Sequence, residues 1–117
     1  MAYLKINTDR VNIMITILNT SILTSYGSYK YEQVTTEQAK KAIRDGFISA
    51  VGHESTADII STVLGVPVLP NRIMFQQNIG DVALVFKING RAPEGKILSS
   101  SEIQEIGFQW GLLERLS

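Results

Sequence analysis

The chain contains no cysteine, a single histidine, three prolines and no excess of either charge. The missing cysteine excludes disulfides and thiolate metal sites. One histidine excludes a two- or three-histidine zinc site within one protomer. No DxD-type or EF-hand spacing points to a carboxylate-held ion, so neither a metal nor a cofactor is expected. Eleven basic residues balance eleven acidic ones. Proteins that track long DNA or RNA draw much of their affinity from neutralising phosphates and carry a basic excess. A long nucleic acid is therefore not an expected partner, whereas a local pocket for a small phosphate-bearing ligand is compatible with the balance. No secretory h-region, long apolar span or lipidation motif is recognisable. No membrane partner is expected, and the cytoplasm is the expected location.

What is present suits one compact domain: 117 residues, 44% of them hydrophobic and 19% charged, enough to bury a core without staples. Residues 1–13 are weakly patterned and read as a peripheral extension, with the domain proper at 14–117. Residues 13–18 (IMITIL) read as a strand buried on both faces. Asn19, Thr20 and Ser21 end it. A turn at 26–28 precedes a short strand at 29–34. Thr35 and Gln38 form a capping box for a helix through Arg44, with Ala39, Ala42 and Ile43 inward and Gly46 as its stop. Residues 47–51 (FISAV) read as a second strand. A helix follows with Ser55 as its N-cap, Ala57, Ile60, Val63 and Leu64 as its buried stripe, and Gly65 at its end. The alternation at 71–77, the turn at 78–81 and the run VALVFKI at 82–88 predict a β-hairpin. Ser99 and Glu102 predict a capped short helix, and 108–116 an edge strand. The sum is an α+β domain: a mixed sheet of about five strands flanked by helices.

Few residues stand out chemically. His53 follows Gly52 at a strand-to-helix junction. Unpaired helix amides favour a phosphate there, glycine admits close approach to the backbone, and imidazole titrates near neutrality and so can give or take a proton. By spacing alone a packing or capping histidine is the commoner reading. Arg91 and Glu94 share a polar loop, 89–96, beyond the strongest strand. An arginine can clamp a phosphate and stabilise charge building on it, and a glutamate can orient that arginine or accept a proton. A solvated surface ion pair explains the same two residues. Asn19 and Ser21 follow the first strand, where α/β and α+β folds often place ligand contacts, and where turn chemistry is also common. Arg72 reads either as a phosphate contact or as a charge guarding a strand edge.

Taken together, LNTSILTSYG at 18–27, SAVGHESTADIIS at 49–61, LGVPVLPNRI at 64–73, GDVALVF at 80–86 and RAPEGKIL at 91–98 resemble one family. It is the type III anti-CRISPR ring nucleases of archaeal viruses and bacteriophages. The resemblance spans nearly the whole chain and rests on the ordered combination of GHEST, NR, GD and R-x-x-EGK. It implies a homodimer that binds cyclic tetra-adenylate across its axis and cleaves it, without a metal, to linear di-adenylate with 2′,3′-cyclic phosphate ends. It implies catalytic roles for His53, Arg91 and Glu94, and ligand contacts from Asn19, Ser21, Gly52 and Arg72. Three departures bear on fine specificity: the extension before Met14, Lys87 where viral relatives often carry glutamine, and Ala92-Pro93 in place of a more acidic pair.

Three functions compete. The first is an enzyme that destroys a cyclic second messenger and so switches off type III CRISPR defence. The second is a protein of a mobile element that sequesters or senses a cyclic nucleotide without cutting it. The third, a small DNA-binding or structural protein, is disfavoured by zero net charge and the lack of a helix-turn-helix.

Overall fold

The computed structural model describes residues 15–90 and 98–117. The expected extension over 1–13, and both Arg91 and Glu94, lie outside the described residues. The elements are β1 (Ile15–Leu18), β2 (Tyr29–Val34), α1 (Thr36–Ala42), β3 (Phe47–Ser49), α2 (Glu54–Leu64), β4 (Val82–Ile88), α3 (Ser100–Ile106) and β5 (Phe108–Arg115). The five strands form one mixed sheet in the order β2-β5-β4-β1-β3. β1 runs parallel to both β3 and β4, while β5 is antiparallel to β4 and to β2. This is the expected α+β domain with a five-stranded mixed sheet and flanking helices.

The local chemistry explains where the helices begin and end. Thr35 and Ser99 each complete a capping box, accepting from the amides of Gln38 and Glu102, and thereby satisfy amides that α1 and α3 would otherwise leave unpaired. α2 ends on Gly65, whose φ of 74° places it in the left-handed region that suits glycine. Its start differs from the sequence reading. His53, not Ser55, is the N-cap, and the first helical bond runs from the Ala57 amide to the His53 carbonyl at 3.0 Å. The buried stripe of Ala57, Ile60 and Leu64 packs on the sheet. That tertiary contact carries the helix past the residue best suited to cap it.

Two strand assignments are corrected. Residues 71–77 form no strand, so the expected hairpin with β4 is absent. Both edges of β4 are already taken, by β1 on one side and β5 on the other. The alternating pattern of 71–77 instead belongs to a segment crossing the sheet's second face, with Phe75 packed inward and Gln77 fully buried. The C-terminal strand is not an edge. β5 lies between β4 and β2, with Trp110, Leu112 and Leu113 buried. β2, whose middle residues Lys30 to Gln33 are exposed and carry the Lys30–Glu32 ion pair, takes the edge instead. Charged side chains there discourage pairing with another chain.

The two faces of the sheet are covered differently. On one, Ile15, Ile17, Leu84, Phe86, Trp110 and Leu112 meet side chains from α1, α2 and α3 or their ends: Ala39 and Ile43, Ile60 and Leu64, and Ile103. The ring of Phe86 packs against Trp110 at 4.9 Å and Phe108 at 5.7 Å between centroids. On the other face a small cluster of Leu18, Ala83, Val85 and Leu113 is met by Tyr29, Ala50 and Phe75, with no helix among the described residues.

Candidate functional site

The parallel trio β3-β1-β4 sends its carboxyl ends to one edge of the sheet. Ile17 lies opposite Ser49 and Leu18 opposite Val85, and the Ala50 amide extends the β1–β3 ladder by donating to the Ile17 carbonyl at 2.9 Å. Carboxyl ends of parallel strands are where open sheets with crossover helices leave room for a ligand, because the chain leaves the sheet there in loops and helix starts. Asn19 is the first residue after β1, half-buried, and Ser21 follows exposed on the same loop. Gly52 and His53 follow β3. β4 continues three residues beyond the position opposite Leu18, so Lys87, exposed, stands near the same edge.

His53 is exposed in extended backbone (φ −125°, ψ 131°), and its side chain makes no capping bond. The imidazole therefore does not serve the helix, which removes one of the two ordinary explanations for it. Exposure removes the other, a packing role. The first-turn amides of α2, an 11-residue helix, have no side-chain acceptor from the N-cap. Such amides, together with the helix dipole, favour an anion.

Arg72 reaches the same junction. Its Nε donates to the Gly52 carbonyl at 2.9 Å, and its Cγ lies 3.7 Å from where a Cβ on Gly52 would sit. That is ordinary contact, so on this side Gly52 is not required by space. The bond through Nε fixes the plane of the guanidinium and leaves its two terminal nitrogens for a second acceptor, the geometry that recognises a phosphate bidentately. Arg72 belongs to no strand of its own but lies just past the free edge of β3, so its charge stands at a sheet edge as well as beside Gly52.

Sequence reasoning missed two residues that build this corner. The Asn71 side-chain amide donates to the Ser49 carbonyl at 2.8 Å and its backbone amide to the Val51 carbonyl at 2.8 Å. The Ser49 hydroxyl donates to the Leu69 carbonyl at 2.6 Å. The available signal was Pro67 and Pro70, whose lack of an amide makes a ladder strand a poor reading of the adjoining chain. At its other end the crossing segment is fastened by Gln77. Its side-chain nitrogen donates to the carbonyls of Asp81 and Leu113, while Arg115 donates to the Gln77 carbonyl at 2.8 Å. Gly27 is needed close by: a Cβ there would overlap the Ser117 carbonyl, and its φ of 153° also favours glycine.

The structure brings Gly52, His53 and Arg72 together at one corner and Asn19 and Ser21 to the same sheet edge. Arg91 and Glu94 lie outside the described residues, beyond β4. Among the described residues no group of three or more His, Asp or Glu side chains converges as a metal-binding set, and no helix is long and apolar enough to cross a membrane.

Comparison with known proteins adds a lineage. The family model described as STIV B116-like matches residues 15–110, a span that includes every candidate site residue. The uncharacterized protein YddF of Bacillus subtilis (strain 168) is 33% identical over 105 residues, covering 87% of this chain and 97% of that protein. The uncharacterized protein ORF117 of Acidianus two-tailed virus is 32% identical over 112 residues, covering 90% of this chain and 96% of its own length. The solved structure of B116 from Sulfolobus turreted icosahedral virus has the same fold. It superposes with a TM-score of 0.78 at 23% identity, over 87% of this chain and 99% of that one.

Proposed function

The chain belongs to the STIV B116-like family, and from that premise we propose that it is a homodimeric, metal-independent ring nuclease. In this reading it opens cyclic tetra-adenylate to linear di-adenylate with 2′,3′-cyclic phosphate ends. The observation that carries the proposal is the corner where an exposed, uncommitted His53 heads α2 beside Arg72 tethered to Gly52. A proton donor and a phosphate clamp on the open amides of a helix are what cleavage of a ribose phosphodiester needs.

The chemistry requires no protein nucleophile. The ligand's 2′-hydroxyl attacks its own adjacent phosphorus; the P–O2′ bond forms as the P–O5′ bond breaks, and the 5′-oxygen leaves with a proton. His53 supplies that proton. Arg91 stabilises the charge gathering on the phosphate. The 2′-hydroxyl proton passes to Glu94, or to solvent where Glu94 serves to orient Arg91. Asn19, Ser21, Gly52 and Arg72 hold the ring so that attack is in line. A two-fold dimer offers a four-fold ring two equivalent sites, one His53 from each protomer. Support for a dimer comes from the surface. Among the described residues, seven of the ten exposed large apolar side chains, including Leu23, Leu69 and Met74, lie on the two segments 19–28 and 69–79 that lead away from the site edge. A second copy would cover them. Relatives in archaeal viruses favour a role against host defence, removing the second messenger on which type III CRISPR immunity depends.

The test is incubation of the protein, at catalytic ratio and with a chelator present, with labelled cyclic tetra-adenylate and with the same ring 2′-O-methylated. The expected outcome is rapid conversion of the first to products ending in 2′,3′-cyclic phosphate, and binding without cleavage of the second. Tight binding of both with no turnover would replace the enzyme by a sequestering protein. Cutting of the blocked ring would make water the nucleophile and Glu94 its base.

A further inference from the structure

We infer that Asn71, together with Ser49, is a positioning residue that fixes His53 for proton donation, an inference that rests on the ring-nuclease reading. His53 has no capping bond from its side chain, so its placement comes through its backbone. That backbone is held on both sides just upstream. On one side Ala50 donates to Ile17 of β1. On the other, the outer edge of β3, residues 69–72 lie where a further strand would pair. They make four bonds: Ser49 hydroxyl to Leu69 carbonyl, Asn71 side chain to Ser49 carbonyl, Asn71 amide to Val51 carbonyl and Arg72 to Gly52 carbonyl. The clip thus occupies the free edge of the last strand and ends at the residue before His53.

Asn71 makes two of the four bonds, and they bracket Ala50, fixing the chain's direction as it leaves β3 for α2. Through these bonds it holds backbone carbonyls and not the reacting phosphate. Its effect passes through His53. A general acid must lie within hydrogen-bond reach of the leaving oxygen, and a displacement on the order of 1 Å costs up to about 100-fold in rate. Loosening the clip should therefore lower the chemical step while leaving affinity, which comes from many contacts, nearly unchanged.

The experiment compares Asn71→Ala, Ser49→Ala and Ser49→Thr in single-turnover cleavage of cyclic tetra-adenylate and of its analogue with sulfur in place of the 5′-bridging oxygens. Sulfur leaves without needing a proton. With the natural ring, Asn71→Ala and Ser49→Ala should cleave about tenfold more slowly, with dissociation constants within about twofold of wild type. Ser49→Thr, which keeps the hydroxyl, should retain the wild-type rate. With the sulfur ring the defects should vanish, as should that of His53→Ala. A defect that persists with sulfur, or a loss of affinity equal to the loss of rate, overturns the inference, as does wild-type cleavage by both alanine variants. Absence of cleavage by the wild-type protein overturns the ring-nuclease reading itself, and the inference falls with it. The two serine variants keep the test decisive should Asn71→Ala fail to fold.

Discussion

The two faces of the sheet divide the labour of the molecule. One is sealed by α1, α2 and α3 over a continuous cluster that includes Ile17, Ile60, Leu84, Phe86 and Trp110. The other has, among the described residues, four buried apolar residues and is crossed by irregular chain, held by side chains that bond backbone carbonyls. Burial of apolar area is non-directional and roughly proportional to area. The helical face therefore supplies most of the stability without dictating where any polar atom lies. Hydrogen bonds are directional and individually modest in net worth. The looped face contributes less to stability, but it sets positions, and the segment crossing it carries Asn71 and Arg72. The proposed phosphate site thus lies where position is controlled by directional bonds.

Three substitutions sharpen this contrast, in descending order of effect on stability. Phe86→Ala removes the ring at the centre of the helical face, where it is 1% exposed. It should cost about 3–5 kcal/mol in urea or thermal unfolding, as large-to-small aromatic changes in cores do. A loss near that of a surface residue would mean that the helical face is not the main source of stability. Gln77→Met keeps the volume of a fully buried side chain on the other face. It removes two donors from the carbonyls of Asp81 and Leu113, together with a side-chain oxygen that has no partner. The expected cost is about 1–3 kcal/mol, because buried carbonyls lose their donors while an unsatisfied acceptor disappears. A stabilised variant would show that the unpaired oxygen outweighs both bonds. His53→Ala should change stability by less than about 0.5 kcal/mol, as substitution of an exposed residue without side-chain bonds does. Turnover of cyclic tetra-adenylate should nonetheless fall by about 100- to 10,000-fold with binding retained. Loss of binding without a separate defect in cleavage would make His53 a ligand contact and not the proton donor.

Much of the helical face was legible in the sequence, since its signals are local. The capping boxes at Thr35 and Ser99 lie within four residues and formed as read. The stripe of Ala57, Ile60 and Leu64 recurs at helical spacing, and its burial follows from that spacing alone. The looped face was misread for a related reason. Alternation at 71–77 reports which side chains are buried, not what buries them, and a crossing segment with Phe75 and Gln77 inward gives the same pattern as a strand.

The candidate site divides along the same line. His53 was singled out by its place after a glycine at a strand-to-helix junction, but its spacing equally fitted a capping or packing role. Only the folded chain, leaving the imidazole exposed and without a capping bond, removes those uses. Asn71 and Ser49 fell within the quoted motifs, but the bond between them could not be read there, because a side chain that bonds a carbonyl 22 residues away leaves no period in the sequence. The residues by themselves determined the class of fold, the helices, β4 as the strongest strand and the positions worth testing, because each follows from local periodicity, capping and composition. The tertiary structure alone decided that β5 is interior, that β4 is filled on both edges, that α2 starts at His53, and that Arg72 and Asn71 clip the chain before it. Strand partners and side-chain bonds to distant carbonyls are chosen by competition among all segments for the same edges, and that competition is resolved only when the whole chain packs.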